Sequence, residues 1–170
     1  MPEERIADLV ASPRPAVSRL REVQEAGFIH CVYLTCFQEE YSILPLVLRY
    51  SSIRMHRAET LDAADFLLTV TGGTVLLTDL AFLDGCWLDA MEMAARIHPL
   101  VASLVVADRH EGPSPADAWS NGACGVLHKP IDISRAIQQI RVVHEAVRER
   151  VAVLRGDSSA SVLPASIHRR

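Results

Sequence analysis

Lysine is almost absent from this chain: Lys129 is the single lysine among 17 basic residues, so every other positively charged side chain is an arginine. Blocks of basic residues are also missing, and the formal net charge is −4. No apolar run approaches the length of about 20 residues that a membrane-spanning helix needs. The sequence therefore gives no reason to expect direct binding to nucleic acid or insertion into a membrane.

Cysteine is scarce, and its four positions form no CxxC pair. This pattern argues against a zinc site, and cysteines in apolar runs usually serve as small buried side chains. We therefore expect reduced thiols and a cytoplasmic location. One cysteine leaves an alternative open, because Cys36 follows an apolar run and is the one candidate nucleophile for a small enzyme. Against an enzyme, no glycine-rich phosphate loop follows the first strand.

Short apolar runs alternate with longer helical patterns from about residue 28 onward. Five strands that alternate with five helices predict an α/β fold whose parallel sheet carries helices on both faces. The predicted strands are Ile29–Thr35, Ile53–Arg57, Thr74–Thr78, Ser103–Ala107 and Gly125–His128. The predicted helices lie at 41–50, 60–71, 86–97, 115–122 and 132–154.

Two segments lie outside this alternation. Residues 1–27 contain two helical stretches, which predict a helical N-terminal extension. Residues 155–170 are mostly small and polar, which is typical of a disordered tail. The core domain is therefore predicted to span residues 28–154 and to end in an elongated helix.

Two charged residues follow apolar strands of the predicted sheet. Asp79 follows Val75-Leu76-Leu77-Thr78, and Lys129 follows the last strand. Because the carboxyl ends of parallel strands meet at one edge of a sheet, we expect both side chains in the same crevice. A carboxylate beside an ammonium group is a plausible phosphoryl acceptor, since the lysine can neutralise charge on the transferred oxygens. The position of the only lysine in the chain strengthens this prediction.

These residues resemble the receiver domain of bacterial response regulators. The resemblance rests on Leu76–Asp79 with Asp84-Gly85, and on Gly122-Ala123-Cys124-Gly125-Val126-Leu127-His128-Lys129-Pro130. It covers roughly residues 30–145. It implies a flavodoxin-like, CheY-like doubly wound sheet of five parallel strands. It also implies that Asp79 is the phospho-acceptor and that Lys129 stabilises the phosphoryl group.

The sequence departs from the receiver pattern at the residues around the acceptor. The two acidic positions that hold Mg²⁺ in receivers carry Cys36 and Phe37, which offer no oxygen ligand. Glu39 or Glu40 would have to complete a metal site with Asp79. The family's switch hydroxyl falls on Ala107, and its switch aromatic falls on Val126. The resemblance therefore implies the fold more strongly than it implies phosphorylation.

The last helix carries an apolar seam of its own. Ile140, Val147, Val151 and Leu154 recur at heptad-like spacing. The helix is longer than the strands, so its final turns are predicted to project past the sheet and to expose apolar side chains unless something covers them. The N-terminal extension or a second copy of the chain could cover them, and we expect a homodimer.

The leading functional prediction is a signalling module that acts through protein contact, with phosphorylation of Asp79 impaired or absent. Its expected partner is a histidine kinase or a separate output protein, and it is predicted not to be an enzyme. The alternative is a working receiver that accepts a phosphoryl group on Asp79 from a histidine kinase. No cofactor is expected, except Mg²⁺ if the chain is competent for phosphorylation.

Overall fold

The computed structural model describes residues 27–37 and 44–156. The strands of its main sheet are β1 (Ile29–Leu34), β2 (Ile53–Ala58), β3 (Val75–Asp79), β6 (Ala102–Asp108) and β7 (Gly125–Lys129). A short hairpin after β3 consists of β4 (Ala81–Phe82) and β5 (Gly85–Cys86). The helices are α1 (Leu44–Arg49), α2 (Leu61–Thr71), α3 (Trp87–Ile97), α4 (Pro115–Ser120) and α5 (Ile133–Leu154).

The five main strands are parallel and lie in the order β2-β1-β3-β6-β7. The chain therefore runs from β1 outward to β2 at one edge of the sheet. It then returns to β3, on the other side of β1, and continues through β6 to β7 at the opposite edge. This is the doubly wound, flavodoxin-like arrangement that the sequence predicted. The carboxyl ends of β1 and β3 lie side by side at the point where the winding reverses, which is where such sheets hold their functional groups.

Alternation along the strands divides the core between the two faces of the sheet, as a period of two requires. Odd-numbered residues of β1 and β3, such as Tyr33 and Leu77, pack with α1 and α5. Even-numbered residues, such as Leu34 and Leu76, pack with α2, α3 and α4. Both faces are covered, so the central strands are buried along almost their whole length.

Apart from the start of α1, which borders residues outside the described part of the chain, the predicted elements agree with the observed ones to within two residues. The Thr60 hydroxyl accepts a hydrogen bond from the amide of Ala63 and begins α2, and Gly72 ends the helix at φ 62°. Pro45 lies in the first turn of α1, where its missing amide hydrogen costs little. The β4–β5 hairpin was not predicted, because two strands of two residues each leave no periodic pattern.

Two predicted segments fall largely outside the described residues. The N-terminal extension is described only at Gly27, and the tail only at Arg155 and Gly156. Both therefore stay predictions. Among the helices that the structure describes, none combines the length and the apolar character that crossing a bilayer requires.

Helix α5 buries most of the apolar seam that was predicted to be exposed unless something covers it. Ile140, Val147 and Val151 are buried within one copy of the chain, with 0%, 2% and 4% of their surfaces exposed. They belong to the core cluster on the α1–α5 face of the sheet. Only Leu154 is exposed, at 73%. The first three residues are therefore core residues in this structure, because α5 packs along the sheet and α1, and the predicted homodimer needs other contacts.

Histidines lie at two places where strands meet their neighbours. The His30 Nδ1 and His56 Nε2 atoms are 3.0 Å apart on β1 and β2, and the two rings are within 7° of parallel. Burial lowers the pKa of both, and the positive charge of Arg54 lowers it further. On α5, the Nδ1 atom of buried His144 lies 2.7 Å from the Thr74 hydroxyl, and burial lowers its pKa.

These lowered pKa values predict that acid destabilises the fold. The unfolded chain binds the His144 proton at about pH 6.5, whereas the folded chain binds it only at a lower pH. The stability that the neutral histidine contributes should therefore be complete above pH 6.5. Below pH 6.5 the free energy of unfolding should fall by at most about 1.4 kcal/mol per pH unit for each such proton. Urea denaturation of the wild type and His144→Gln at several pH values measures this slope.

The variant should have a shallower slope between pH 6.5 and the lowered pKa, because it has one fewer titrating group. His110→Gln is the control, since His110 is exposed in the loop after β6. Equal slopes for His144→Gln and the wild type would contradict the assignment.

Candidate functional site

The carboxylate of Asp79 is the centre of a buried polar cluster at the carboxyl edge of the sheet. Asp79 is the last residue of β3 and is only 1% exposed. The Tyr33 hydroxyl donates a hydrogen bond of 2.9 Å to its Oδ1 atom. The Lys129 Nζ atom lies 3.1 Å from the same oxygen. Three strands therefore each contribute one side chain to this cluster, and the predicted meeting of Asp79 and Lys129 is confirmed.

Strand register explains why these three side chains converge. Tyr33, Asp79 and Lys129 occupy odd positions on their strands and point to the same face as α1 and α5. Tyr33 is level with Leu77, so its long side chain reaches two residues up β3 to the carboxylate. Lys129 is level with Asp108 on β6, and its flexible stem crosses that strand toward β3. Short side chains at both positions would remove both of these partners from the carboxylate.

The two carboxylate oxygens of Asp79 have different surroundings. Oδ1 receives both the tyrosine hydroxyl and the ammonium group, whereas Oδ2 is buried and accepts no hydrogen bond from the described residues. Burial strengthens the attraction between the carboxylate and Lys129, because little water screens it. Burial also makes the loss of either partner costly, since an unpaired charge would remain inside the protein.

Phe37 and Cys36, at the positions aligned with the receiver acid pair, both lie at the rim of this cluster. The Lys129 Nζ atom lies 5.0 Å from the centroid of the Phe37 ring, which is within range of a cation–π contact. The Cys36 Sγ atom lies 4.0 Å from the carbonyl oxygen of Ala81. The aromatic ring thus covers the ammonium group from outside, where the receiver pattern has a metal ligand.

Continuing the β1–β3 register by one residue places Thr35 level with Asp79. Thr35 is fully buried, and its hydroxyl accepts a hydrogen bond from the amide of Phe37 at 3.1 Å. This contact holds the turn that follows β1. The side chain is therefore engaged in local structure rather than in a bond to the Asp79 carboxylate.

The two switch positions are packed into the opposite face of the sheet. Ala107 and Val126 both belong to the core cluster with α2, α3 and α4. A Cβ atom added to Gly112 would lie 2.5 Å from the Ala107 Cβ, so the loop after β6 closes directly over Ala107. A larger side chain at position 107 would need that loop to move. The space that a switch hydroxyl would need is thus filled by backbone.

The segment after Asp79 is held by hydrogen bonds at both of its ends. The Asp84 carboxylate accepts from the amide of Leu61 at the start of α2. The Asp89 carboxylate accepts from the amide of Cys86, and this bond lowers the pKa of Asp89. The β4–β5 hairpin is therefore anchored to the N-termini of α2 and α3 beside β3.

The described residues do not fit a magnesium ion. Mg²⁺ binds oxygen ligands in an octahedron, and in the described cluster Asp79 is the only carboxylate, with one oxygen already paired. Among the residues that the structure describes, no group of three or more His, Cys, Asp and Glu side chains could hold a metal ion. Glu39 and Glu40, the predicted replacements, lie outside the described residues.

Tyr33 is the site residue that sequence reasoning missed. In the sequence, Tyr33 is indistinguishable from the other apolar residues of the strand Ile29–Leu34. In the structure it is fully buried. A signal was available, because a buried tyrosine hydroxyl usually has a hydrogen-bond partner and the nearest strand end carries Asp79. Identifying the partner, however, required the order of the strands.

Solved receiver domains share this fold, although no protein-family model and no curated protein matches the chain. The signal receiver domain of a Luxo repressor protein from Vibrio parahaemolyticus has a TM-score of 0.66 at 13% identity, over 74% of this chain and 97% of that one. The CheY-like receiver domain protein from Methanospirillum hungatei JF-1 has a TM-score of 0.64 at 12% identity, over 72% and 98%. The beryllofluoride-activated NtrC4 receiver domain dimer has a TM-score of 0.63 at 19% identity, over 69% and 98%. The chain therefore has the receiver-domain fold.

The buried ion pair predicts strong coupling between Asp79 and Lys129. Lys129→Met should lower the free energy of unfolding by about 3–5 kcal/mol, because it leaves a buried carboxylate without its cation. The double variant Lys129→Met/Asp79→Asn removes both charges and keeps an acceptor for Tyr33, so it should regain most of that loss. Urea denaturation of both single variants and the double variant gives the coupling energy. Additive losses would contradict this account.

Proposed function

We propose that this chain is a signalling module of the receiver type that acts through contact with another protein, without phosphorylation of Asp79. The observation that carries the proposal is the engagement of the buried Asp79 Oδ1 atom by both Tyr33 and Lys129. In this proposal the cluster serves as a permanent internal bond between three strands. The partner would bind to the outer surface of the receiver fold, and the cluster around Asp79 would stabilise the sheet beneath that surface.

Phosphoryl transfer makes demands that this site meets poorly. A carboxylate oxygen has to attack the phosphorus atom, and a cation has to neutralise the charge on the transferred oxygens. The Tyr33 hydroxyl occupies one carboxylate oxygen, and Phe37 lies where the receiver pattern has a metal ligand. Ala107, packed beneath Gly112, offers no hydroxyl for a phosphoryl oxygen. Each departure removes a different part of the reaction.

One observation favours the alternative function, a working receiver that accepts a phosphoryl group from a histidine kinase. The Oδ2 atom of Asp79 is free of hydrogen bonds from the described residues and could act as the nucleophile. Lys129 already lies where it would neutralise the product. In this alternative, Glu39 or Glu40 would supply the missing Mg²⁺ ligands.

An enzymatic function through Cys36 has less support. The thiol is exposed; its Sγ atom lies 4.0 Å from the Ala81 carbonyl oxygen, which is not a base, and Arg57 donates to the Cys36 carbonyl oxygen rather than to the sulfur. Activation of a cysteine needs a nearby cation or general base. We therefore propose a binding function rather than catalysis. A protein of this kind would work in the cytoplasm beside a histidine kinase or a separate output protein.

Titration with beryllofluoride and Mg²⁺, followed by amide NMR, tests the proposal. Beryllofluoride mimics a phosphoryl group on a carboxylate. The NtrC4 receiver domain, which shares the fold, is described in its beryllofluoride-activated form. We expect no saturable shifts at Asp79, Ala107 and Lys129 in this chain, because Tyr33 engages the carboxylate and the described residues offer no cluster of metal ligands.

Asp79→Asn is the matched control, since it keeps the size and the hydrogen-bond acceptor but lacks the carboxylate. Saturable shifts in the wild type that are absent from Asp79→Asn would support the working receiver and contradict the proposal. Incubation with acetyl phosphate and intact mass measurement provides an independent check for an added phosphoryl group.

We also propose self-association through the outer surfaces of α1 and α5. With the interior of the original seam buried, the candidates are exposed apolar side chains on these two helices. They are Leu46 on α1, Tyr50 directly after it, and Val142, Val153 and Leu154 on α5. Exposed apolar side chains that form one contiguous patch mark contact surfaces. The NtrC4 receiver, which shares the fold, is described as a dimer.

Sedimentation equilibrium of Val153→Glu/Leu154→Glu tests this proposal. Two carboxylates at the end of α5 should lower the dimer fraction without unfolding the chain, because both native side chains are exposed. Leu88→Glu on α3 is the control and should leave the mass unchanged. A monomeric wild type at all concentrations would contradict self-association.

A further inference from the structure

A second polar site lies at the opposite edge of the sheet from Asp79. A cavity of about 360 Å³ opens between the start of β1, the turn before β2 and helix α5. Phe28 and Ile29 form an apolar wall, and Arg141, His144 and Arg148 line the side that α5 provides. The volume is within the range of small-molecule sites, which combine apolar walls with a few polar groups.

The arginines of this cavity have hydrogen-bond donors to spare. A guanidinium group carries five N–H donors. In the described part of the chain, Arg141 donates to the carbonyl oxygen of Ser51 at 3.1 Å, and Arg148 donates to the Glu145 carboxylate at 3.3 Å. Each therefore keeps most of its donors for a further acceptor. The Ser51 contact also holds Arg141 at the turn before β2 rather than free in solvent.

His144 supplies the buried end of the site. Its Nδ1 atom is engaged by the Thr74 hydroxyl at 2.7 Å, and among residues 27–37 and 44–156 no hydrogen-bond partner engages its Nε2 atom. The ring is buried and lines the cavity. A buried histidine whose orientation is set by one hydrogen bond presents its other nitrogen in a defined direction. The cavity thus holds a fixed group at its inner end and two cations at its mouth.

The charges favour an anion. Arg141 and Arg148 together carry two positive charges, and Glu145 is the single carboxylate among the lining residues. Arginine matches carboxylate and phosphate groups in two-point contacts. We propose that this cavity binds a small oxyanion, a carboxylate or phosphate group, between Arg141 and Arg148 with its body against Phe28 and the ring of His144.

Such a ligand would join parts of the chain that are distant in sequence. The amino end of β1, the α1–β2 turn and the middle of α5 all contribute to the cavity. An anion bound there would therefore fix α5 against the amino edge of the sheet. This site does not depend on the proposed function of Asp79, and Asp79→Asn should leave its affinity unchanged.

Amide and histidine-ring NMR of the full chain tests the proposal. Titrations with acetate, benzoate and inorganic phosphate at constant ionic strength should shift Phe28, Ser52 and His144 in a saturable way. A preference for benzoate would identify a carboxylate with an apolar body, and a preference for phosphate would identify a phosphate group. Shifts that follow chloride equally well, or that never saturate, would overturn the site.

Variants make the test specific. Arg141→Gln and Arg148→Gln should each weaken binding about tenfold, because each removes a charged hydrogen bond. Glu145→Gln should strengthen binding, since it releases Arg148 and removes the opposing charge. Arg150→Gln is the matched control, because it lies exposed on α5 and does not line the cavity. Equal loss in Arg150→Gln and Arg141→Gln, or no gain in Glu145→Gln, would contradict the proposal.

Discussion

The ion pair between Asp79 and Lys129 constrains the carboxyl edge of the sheet. Asp79 is fully buried, so its charge is tolerated only because Lys129 and the Tyr33 hydroxyl both reach the same oxygen. These partners come from β7 and β1, on either side of β3. The pair thus requires the observed strand order, and in turn it resists any separation of the strands. Phe37 depends on the same ion pair, because its ring lies against the ammonium group.

The carboxyl edge of the sheet shows how a chain could keep the receiver fold without the phosphoryl-transfer chemistry, as the proposed function requires. The fold needs buried apolar strands with helices on both faces, and the two core clusters supply these independently of any reaction. The chemistry of a receiver needs accessible oxygens, a metal and a hydroxyl. In the proposed function, the contacts of Tyr33, Phe37 and Ala107 take the place of that chemistry. Fold and function separate because they rest on different residues.

The two edges of the sheet have different polar character. At the carboxyl edge, charge is buried and paired, and its partners belong to the sheet itself. At the amino edge, Arg141 and Arg148 lie at the mouth of a cavity and keep unused donors, while His144 joins α5 to the start of β3 through Thr74. Strand β3 connects these regions, since Thr74 precedes it and Asp79 ends it. The first edge is thus held together by paired charge, and the proposed anion site rests on the charges of the second.

Local patterns in the sequence were sufficient to predict the alternation of strands and helices and the positions of Asp79 and Lys129 at strand ends. Period-two burial, the Thr60 cap and the Gly72 stop depend only on neighbouring residues, so no tertiary contact was needed to find them. Tyr33 on Asp79, Phe37 over Lys129 and Gly112 against Ala107 join residues far apart in the chain. Likewise, heptad spacing placed Val147 and Val151 on one apolar seam of the helix. Only the packing of α5 decided that they are buried within one copy of the chain. Those contacts follow from strand order, register and helix packing, which distant parts of the chain determine together.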